Sequence, residues 1–172
     1  MTAPPPRQDR ARSDALVFFG ATGDLAYKKI FPALQAMARR GRLDFPVVGV
    51  AKAGWTTAQL CERARASLAQ HGGGVDEAAF ATLAARLYYV DGDYADAATF
   101  TALGACLKDA GAHRPAHYLA IPPSMFATVI EQLARARATS SVVVQPDLAT
   151  PTTGKSRRPR RAMACSAGKI FL

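Results

Sequence analysis

The chain has 172 residues, enough for about one domain, and 49% of them are apolar. Its net charge of +9 invites a nucleic-acid reading, but residues 151–172 carry six basic residues and no acidic ones, whereas residues 15–150 are nearly neutral. No apolar stretch approaches the ~20 residues of a membrane span, and three widely spaced cysteines exclude a thiolate zinc cage and a disulfide framework. Because the start is rich in proline and mixed charge, without the apolar run of a signal peptide, we expect a cytoplasmic protein.

Strand-like and helix-like segments alternate through the middle of the chain. ALVFFG (15–20) is continuously apolar, as a strand buried on both faces should be, and PVVGVAK (46–52) is a second such strand. Pro32 predicts a kink or a fresh start in the helix that follows the first strand. Further strands are predicted at 87–93, 117–123 and 140–146, and helices at 24–40, from Thr56 or Thr57 to Gly72–Gly74, and at 76–87, 95–110 and 124–138.

This alternation predicts an α/β fold: a Rossmann-like, doubly wound parallel sheet of about five strands in the order 3-2-1-4-5. The domain is expected to span 15–146, between a disordered tail at 1–14 and an unpatterned basic tail at 147–172.

Two glycines, Gly20 and Gly23, follow the first strand directly and precede a helix. In a sheet of this type ligands sit at the carboxyl ends of the strands, and backbone N–H groups at a helix start can hold a pyrophosphate. A turn made tight only for packing is the alternative. Asp24 is expected to cap the helix.

The end of the second strand carries Lys52 and no acidic residue. At that place in a dinucleotide site an acid binds the ribose 2′-hydroxyl of NAD, whereas a cation accommodates the 2′-phosphate of NADP. Lys52 together with the glycine turn therefore favours NADP, although a lone lysine there is also typical of a solvated rim.

Three ordered segments resemble the amino-terminal part of the glucose-6-phosphate dehydrogenase family: FFGATGDLAYKKIFPAL (18–34), VVGVAK (47–52) and HYLAIPPSMFATVIEQL (117–133). The resemblance covers about residues 15–144. It implies that Lys52 contacts the 2′-phosphate, that Lys29 lies where cofactor and sugar phosphate meet, and that Pro122 and Pro123 form the floor beneath the nicotinamide. It also implies a run of residues lining the cofactor: Gly20, Ala21, Thr22, Gly23, Asp24 and Leu25. Phe126 matches a position that is often aromatic in the family, but helix core is the simpler interpretation.

The resemblance stops after the fifth predicted strand. Where the family continues with Val-Glu-Lys-Pro-Phe-Gly, this chain has VVVQPDLA, and the later Arg-Ile-Asp-His-Tyr stretch has no counterpart. His71, His113 and His117 match no family residue, so no catalytic residue is named. We expect a chain read out of frame or cut short before the substrate domain, through which family members oligomerise; a real basic extension is the alternative. The family oxidises glucose 6-phosphate with NADP to 6-phosphoglucono-lactone in the pentose phosphate pathway, and this chain alone is predicted to be inactive.

Four alternatives compete with that interpretation. One is a noncatalytic NADP-binding sensor module. Another is a short-chain-type reductase or epimerase, which is disfavoured because no Tyr-x-x-x-Lys pair occurs. ATPTTGKS (149–156) satisfies a relaxed P-loop pattern, but RRPRR follows it where a helix is needed. The arginines could bind nucleic acid nonspecifically, and a solvated tail is the simpler interpretation.

Overall fold

The computed structural model describes residues 12–140, with side chains to residue 137. Four strands alternate with helices in this range. The strands are β1 (Ala15–Phe19), β2 (Val47–Ala51), β3 (Leu87–Asp91) and β4 (Pro115–Leu119). The α-helices are α1 (Phe31–Arg39), α2 (Thr57–His71), α3 (Glu77–Ala84), α4 (Ala97–Asp109) and α5 (Phe126–Ser140), with a π-helical segment (Ala26–Ile30) before α1 and a 3-10 turn (Pro123–Met125) before α5.

The strands form one parallel sheet in the order β3-β2-β1-β4. In the central pairs, Val17 lies opposite Val48 of β2 and His117 of β4. The predicted α/β class and the order of the first four strands are thereby confirmed. The predicted fifth strand lies outside the described residues, apart from its first position, Ser140, which ends α5.

Both faces of the sheet are covered, because successive residues of β1 point to opposite sides. Phe18 packs under α1, α2 and α3 with Phe31, whereas Phe19 packs with Phe100 of α4 and Val129 of α5. The T-shaped contact of Phe18 with Phe31 has ring centroids 5.9 Å apart. A continuously apolar first strand is therefore what a doubly wound sheet requires.

The helix after β1 accommodates Pro32 by a change in its hydrogen-bonding pattern. A proline ring clashes with the carbonyl four residues earlier and offers no N–H. Here the preceding turn widens to a π-helix, in which the Phe31 N–H donates to the Ala26 carbonyl five residues back, and Pro32 stands in the first turn of α1. The predicted kink is thus a change of helical pitch without a break.

Thr56, and not Thr57, caps α2. Its hydroxyl accepts from the Gln59 N–H, while the Gln59 side chain accepts from the Thr56 N–H.

The fourth strand was predicted at 117–123 but is observed at Pro115–Leu119, so Pro122 and Pro123 follow the strand instead of ending it. The early end has its reason in β1, which itself ends at Phe19, the residue that pairs with Leu119.

Candidate functional site

The carboxyl ends of β1, β2 and β4 lie side by side at one edge of the sheet, because these strands are adjacent and parallel. The structure therefore brings together the glycine turn after β1, Lys52 after β2, and the two prolines after β4. These segments are separated by up to about a hundred residues in sequence and meet only through the strand order.

Gly20 is required where β1 ends. Its φ is +85°, and a Cβ atom there would lie 2.2 Å from the backbone oxygen of Ala120 beyond β4. The Gly20 N–H lies 2.9 Å from the Val50 carbonyl oxygen and 2.9 Å from the Tyr94 hydroxyl oxygen. A side chain at this position would thus overlap the chain that follows β4 and force the turn to move.

Gly23 has no side chain that could cover the start of the following helix. Its N–H donates to the Gly20 carbonyl at 3.0 Å, which closes the turn, and its own carbonyl accepts from the Tyr27 N–H. Gly23 and Leu25 are exposed, Thr22 is half-buried and Ala21 is buried. First-turn N–H groups of a helix have no partner within it, and they carry the positive end of its dipole. The turn can therefore hold an anionic group.

Asp24 does not cap the helix as the sequence predicted. Its carboxylate pairs with the Lys28 ammonium one turn later at 2.8 Å, and that hydrogen bond lowers the pKa of Asp24. Because the Asp24 carboxylate is paired with Lys28, it does not accept hydrogen bonds from the N–H groups of the turn. Lys29, the next residue, is exposed to solvent.

Lys52 lies after β2, and its ammonium is held by the Asp93 carboxylate at 2.9 Å. That hydrogen bond raises the pKa of Lys52. The pKa of Asp93 is lowered, first by the Ala95 N–H and then by Lys52. The sequence analysis missed Asp93, which lies two residues after the end of β3, the strand beside β2. A ligand phosphate at Lys52 has to share the lysine with it.

Asp91 and Tyr94 are further side chains that sequence reasoning did not single out. The Asp91 carboxylate accepts from the Ala53 and Gly54 N–H groups at 2.9 and 2.7 Å, which fixes the loop that carries Lys52. The Tyr94 hydroxyl donates to the Val50 carbonyl at 3.1 Å while it accepts from Gly20. Tyr94 therefore links the ends of β1 and β2, and Asp91 links the loop after β2 to the end of β3.

Pro122 and Pro123 are exposed beside the glycine turn, where the Ile121 side chain also approaches Gly20. The Met125 N–H donates to the Pro122 carbonyl, so the prolines open a rigid 3-10 turn into α5. Phe126 is half-buried at the start of that helix.

None of the three histidines belongs to the glycine turn, but His71 lies near it, and its charge is among the causes that lower the pKa of Asp24. His71 ends α2 and meets the Tyr27 ring, His113 precedes β4, and His117 lies in mid-strand against Phe19. Burial lowers the pKa of His117. Within residues 12–140 no group of three or more His, Cys, Asp or Glu side chains could hold a metal ion, and no helix there has the length and apolarity to cross a membrane.

Comparison with known proteins matches this chain to glucose-6-phosphate dehydrogenases. The family model described as "Glucose-6-phosphate dehydrogenase, NAD binding domain" matches residues 17–147. Glucose-6-phosphate 1-dehydrogenase 1 of Mycobacterium tuberculosis is 42% identical over 125 residues, which cover 73% of this chain and 26% of that protein. Glucose-6-phosphate 1-dehydrogenase of Dickeya dadantii is 31% identical over 146 residues, or 81% of this chain and 30% of that one.

Solved structures agree with the sequence comparison. Glucose-6-phosphate 1-dehydrogenase from Mycobacterium avium superposes with a TM-score of 0.69 at 43% identity, over 73% of this chain and 27% of that chain. A glucose-6-phosphate dehydrogenase in complex with its substrate glucose-6-phosphate gives 0.61 at 26% identity, over 72% of this chain and 28% of that one. The chain thus spans between about a quarter and a third of the length of these relatives.

Proposed function

Since this chain belongs to the glucose-6-phosphate dehydrogenase family, through the NAD binding domain, we propose that it binds NADP at the carboxyl edge of its sheet. This proposal is based on one observation: the glycine turn, Lys52 and the two prolines all lie at that edge of the sheet. A turn needed only for packing would account for Gly20. It would not account for an exposed Gly23 at a helix start with a lysine beyond the neighbouring strand.

Each part of the edge has a role in the proposal. The N–H groups of Gly20, Ala21 and Gly23 already donate to protein oxygens. The pyrophosphate is therefore assigned to the N–H groups of Thr22, Asp24 and Leu25, aided by the helix dipole. Lys52 contacts the adenosine 2′-phosphate, which must displace or share the Asp93 carboxylate. Pro122 and Pro123 support the nicotinamide, and exposed Lys29 faces the place where a sugar phosphate would approach.

The wider activity is also part of the proposal. NADP, when bound, accepts a hydride, here from C1 of glucose 6-phosphate, and the sugar becomes a lactone. That reaction needs a base for the C1 hydroxyl proton and a positioned substrate. The family's later Arg-Ile-Asp-His-Tyr stretch has no counterpart in these 172 residues, so we expect the polypeptide by itself to bind the cofactor without turnover.

We assign the ligands and location in the same way. NADP is the cofactor, glucose 6-phosphate is a ligand of the whole protein, and the cytoplasm is the proposed location. Specific nucleic-acid binding is not proposed, because the excess of positive charge lies in residues 151–172 and not on the patterned domain.

Calorimetric titration of the full chain with NADP and with NAD tests the cofactor assignment. We expect NADP to bind at least about tenfold more tightly, as one well-placed charge-assisted contact would provide. Lys52→Glu should remove that preference, because it puts a carboxylate against the 2′-phosphate. Lys108→Glu on α4 makes the same charge reversal away from the site and should leave the preference intact. Equal affinity of the unaltered chain for both dinucleotides would remove Lys52 from this role.

A separate assay addresses turnover. Purified chain is mixed with glucose 6-phosphate and NADP, and NADPH absorbance is followed. We expect no rate above background. Turnover that survives removal of contaminating host enzyme would show that a catalytic base lies within the chain.

A further inference from the structure

A second cation, Arg63, reaches the glycine turn from α2. Its Nη2 lies 3.4 Å from the Thr22 carbonyl oxygen, and its guanidinium carbon lies 4.3 Å from the centroid of the Tyr27 ring. The same carbon is 6.0 Å from the ring of Trp55, three residues after Lys52. Arg63 therefore stands between the turn after β1 and the loop after β2, which is the adenosine end of a dinucleotide site in this fold.

The charge of Arg63 is not neutralised by a partner. No ion pair among residues 12–140 includes it, and its buried Nε has no hydrogen-bond partner there. The positive charge of Arg63 contributes to the lowered pKa of Asp24, but the Asp24 carboxylate is hydrogen-bonded to Lys28 and not to Arg63. Lys52, by contrast, is paired with Asp93. Of these two cations at the adenosine end, Arg63 can accept an anion without giving up a carboxylate.

We propose that Arg63 is a specificity-determining residue that binds the 2′-phosphate of the dinucleotide together with Lys52. This inference rests on the proposed function, since it needs a dinucleotide at the turn. The Thr22 carbonyl and the Tyr27 ring hold the guanidinium plane, so less conformational freedom is lost when it binds. A guanidinium fork also matches phosphate oxygens better than a lysine does.

The test is a titration of the full chain with NADP and with NAD. Trp55 is the only tryptophan and lies next to the guanidinium, so its fluorescence reports binding without any need for turnover. Arg63→Gln should raise the dissociation constant for NADP about tenfold and leave that for NAD within about twofold, as expected for loss of one charge-assisted contact. Arg63→Lys keeps the charge but loses the fork, and it should lower the NADP preference by a smaller factor.

Arg65→Gln is the matched control. Arg65 lies two residues along the same helix but pairs with Glu77 and packs on Phe80. It should change neither dissociation constant. The ratio of the two constants is the deciding quantity, because a partly unfolded variant weakens both dinucleotides equally.

The outcomes separate the two proposals. A wild-type chain that binds neither dinucleotide overturns the proposed function, and this inference with it. A wild-type chain that prefers NADP, with the ratio unchanged in Arg63→Gln, overturns the role of Arg63 alone and makes it a support for the turn. If Arg63→Gln does not fold, Arg63→Lys decides, and an unchanged ratio in that variant counts against the inference.

Discussion

Gly20→Ala perturbs the turn at its most constrained point. The position has a φ of +85°, and an added Cβ would lie 2.2 Å from the Ala120 backbone oxygen. A left-handed backbone costs an L-residue about 1–2 kcal/mol. Relieving the overlap requires movement of backbone, and such overpacking costs about 1–3 kcal/mol more.

Gly41→Ala supplies the comparison. Gly41 also has a positive φ, +64°, but a Cβ there would meet nothing within 4 Å. It therefore carries the backbone strain of about 1–2 kcal/mol without the overlap. For a domain of this size each kcal/mol lowers the melting temperature by about 3 °C, so Gly20→Ala should melt at least about 3 °C below Gly41→Ala.

Thermal unfolding followed by circular dichroism measures both variants, and NADP titration follows at a temperature where each is folded. We expect Gly41→Ala to bind like the unaltered chain and Gly20→Ala to bind more weakly, because its turn has moved. Equal melting temperatures and equal affinities in the two variants would refute the argument that close contact with Ala120 fixes the turn.

Three further predictions follow from the same edge of the sheet. Tyr94→Phe removes the hydroxyl between Gly20 and Val50 and should lower the free energy of unfolding by about 1–2 kcal/mol in denaturant titrations; an unchanged unfolding midpoint would show that this bridge contributes nothing. Asp93→Asn frees Lys52 and should tighten NADP about two- to fivefold without affecting NAD, whereas weaker NADP binding would mean that Asp93 positions the lysine. The NADP preference should fall as pH drops through about 6, because the 2′-phosphate takes up a proton there. Lys52 and Asp93 both stay charged over this range, because the pKa of Lys52 is raised and that of Asp93 is lowered. A preference that stays constant from pH 8 to 5.5 would argue against 2′-phosphate recognition.

Local patterns in the sequence were enough for the architecture. Continuously apolar strands alternating with amphipathic helices predicted the sheet, and the glycine turn was placed at its carboxyl edge. The Thr56 cap was recognisable because capping depends on residues three apart in sequence.

The missing parts of the site depend on tertiary contacts. Tyr94 reaches Gly20 across 74 residues, and Asp93 and Arg63 each reach their partners across 41. No periodicity or motif marks such side chains, because their positions follow from how β3 and α2 lie against β2 and the turn. The resemblance to a family likewise named residues that carry the shared motifs and passed over these three.

The most direct measurement is an NMR titration of the full chain with NADP and, in parallel, with NAD. Chemical shifts of backbone amides report where each dinucleotide binds. We predict that both dinucleotides shift the amides of Thr22, Gly23, Asp24 and Leu25, and that NADP alone produces large shifts around Lys52. If the largest changes lie elsewhere, or the turn amides do not respond to either dinucleotide, the account of this edge as an NADP site is wrong.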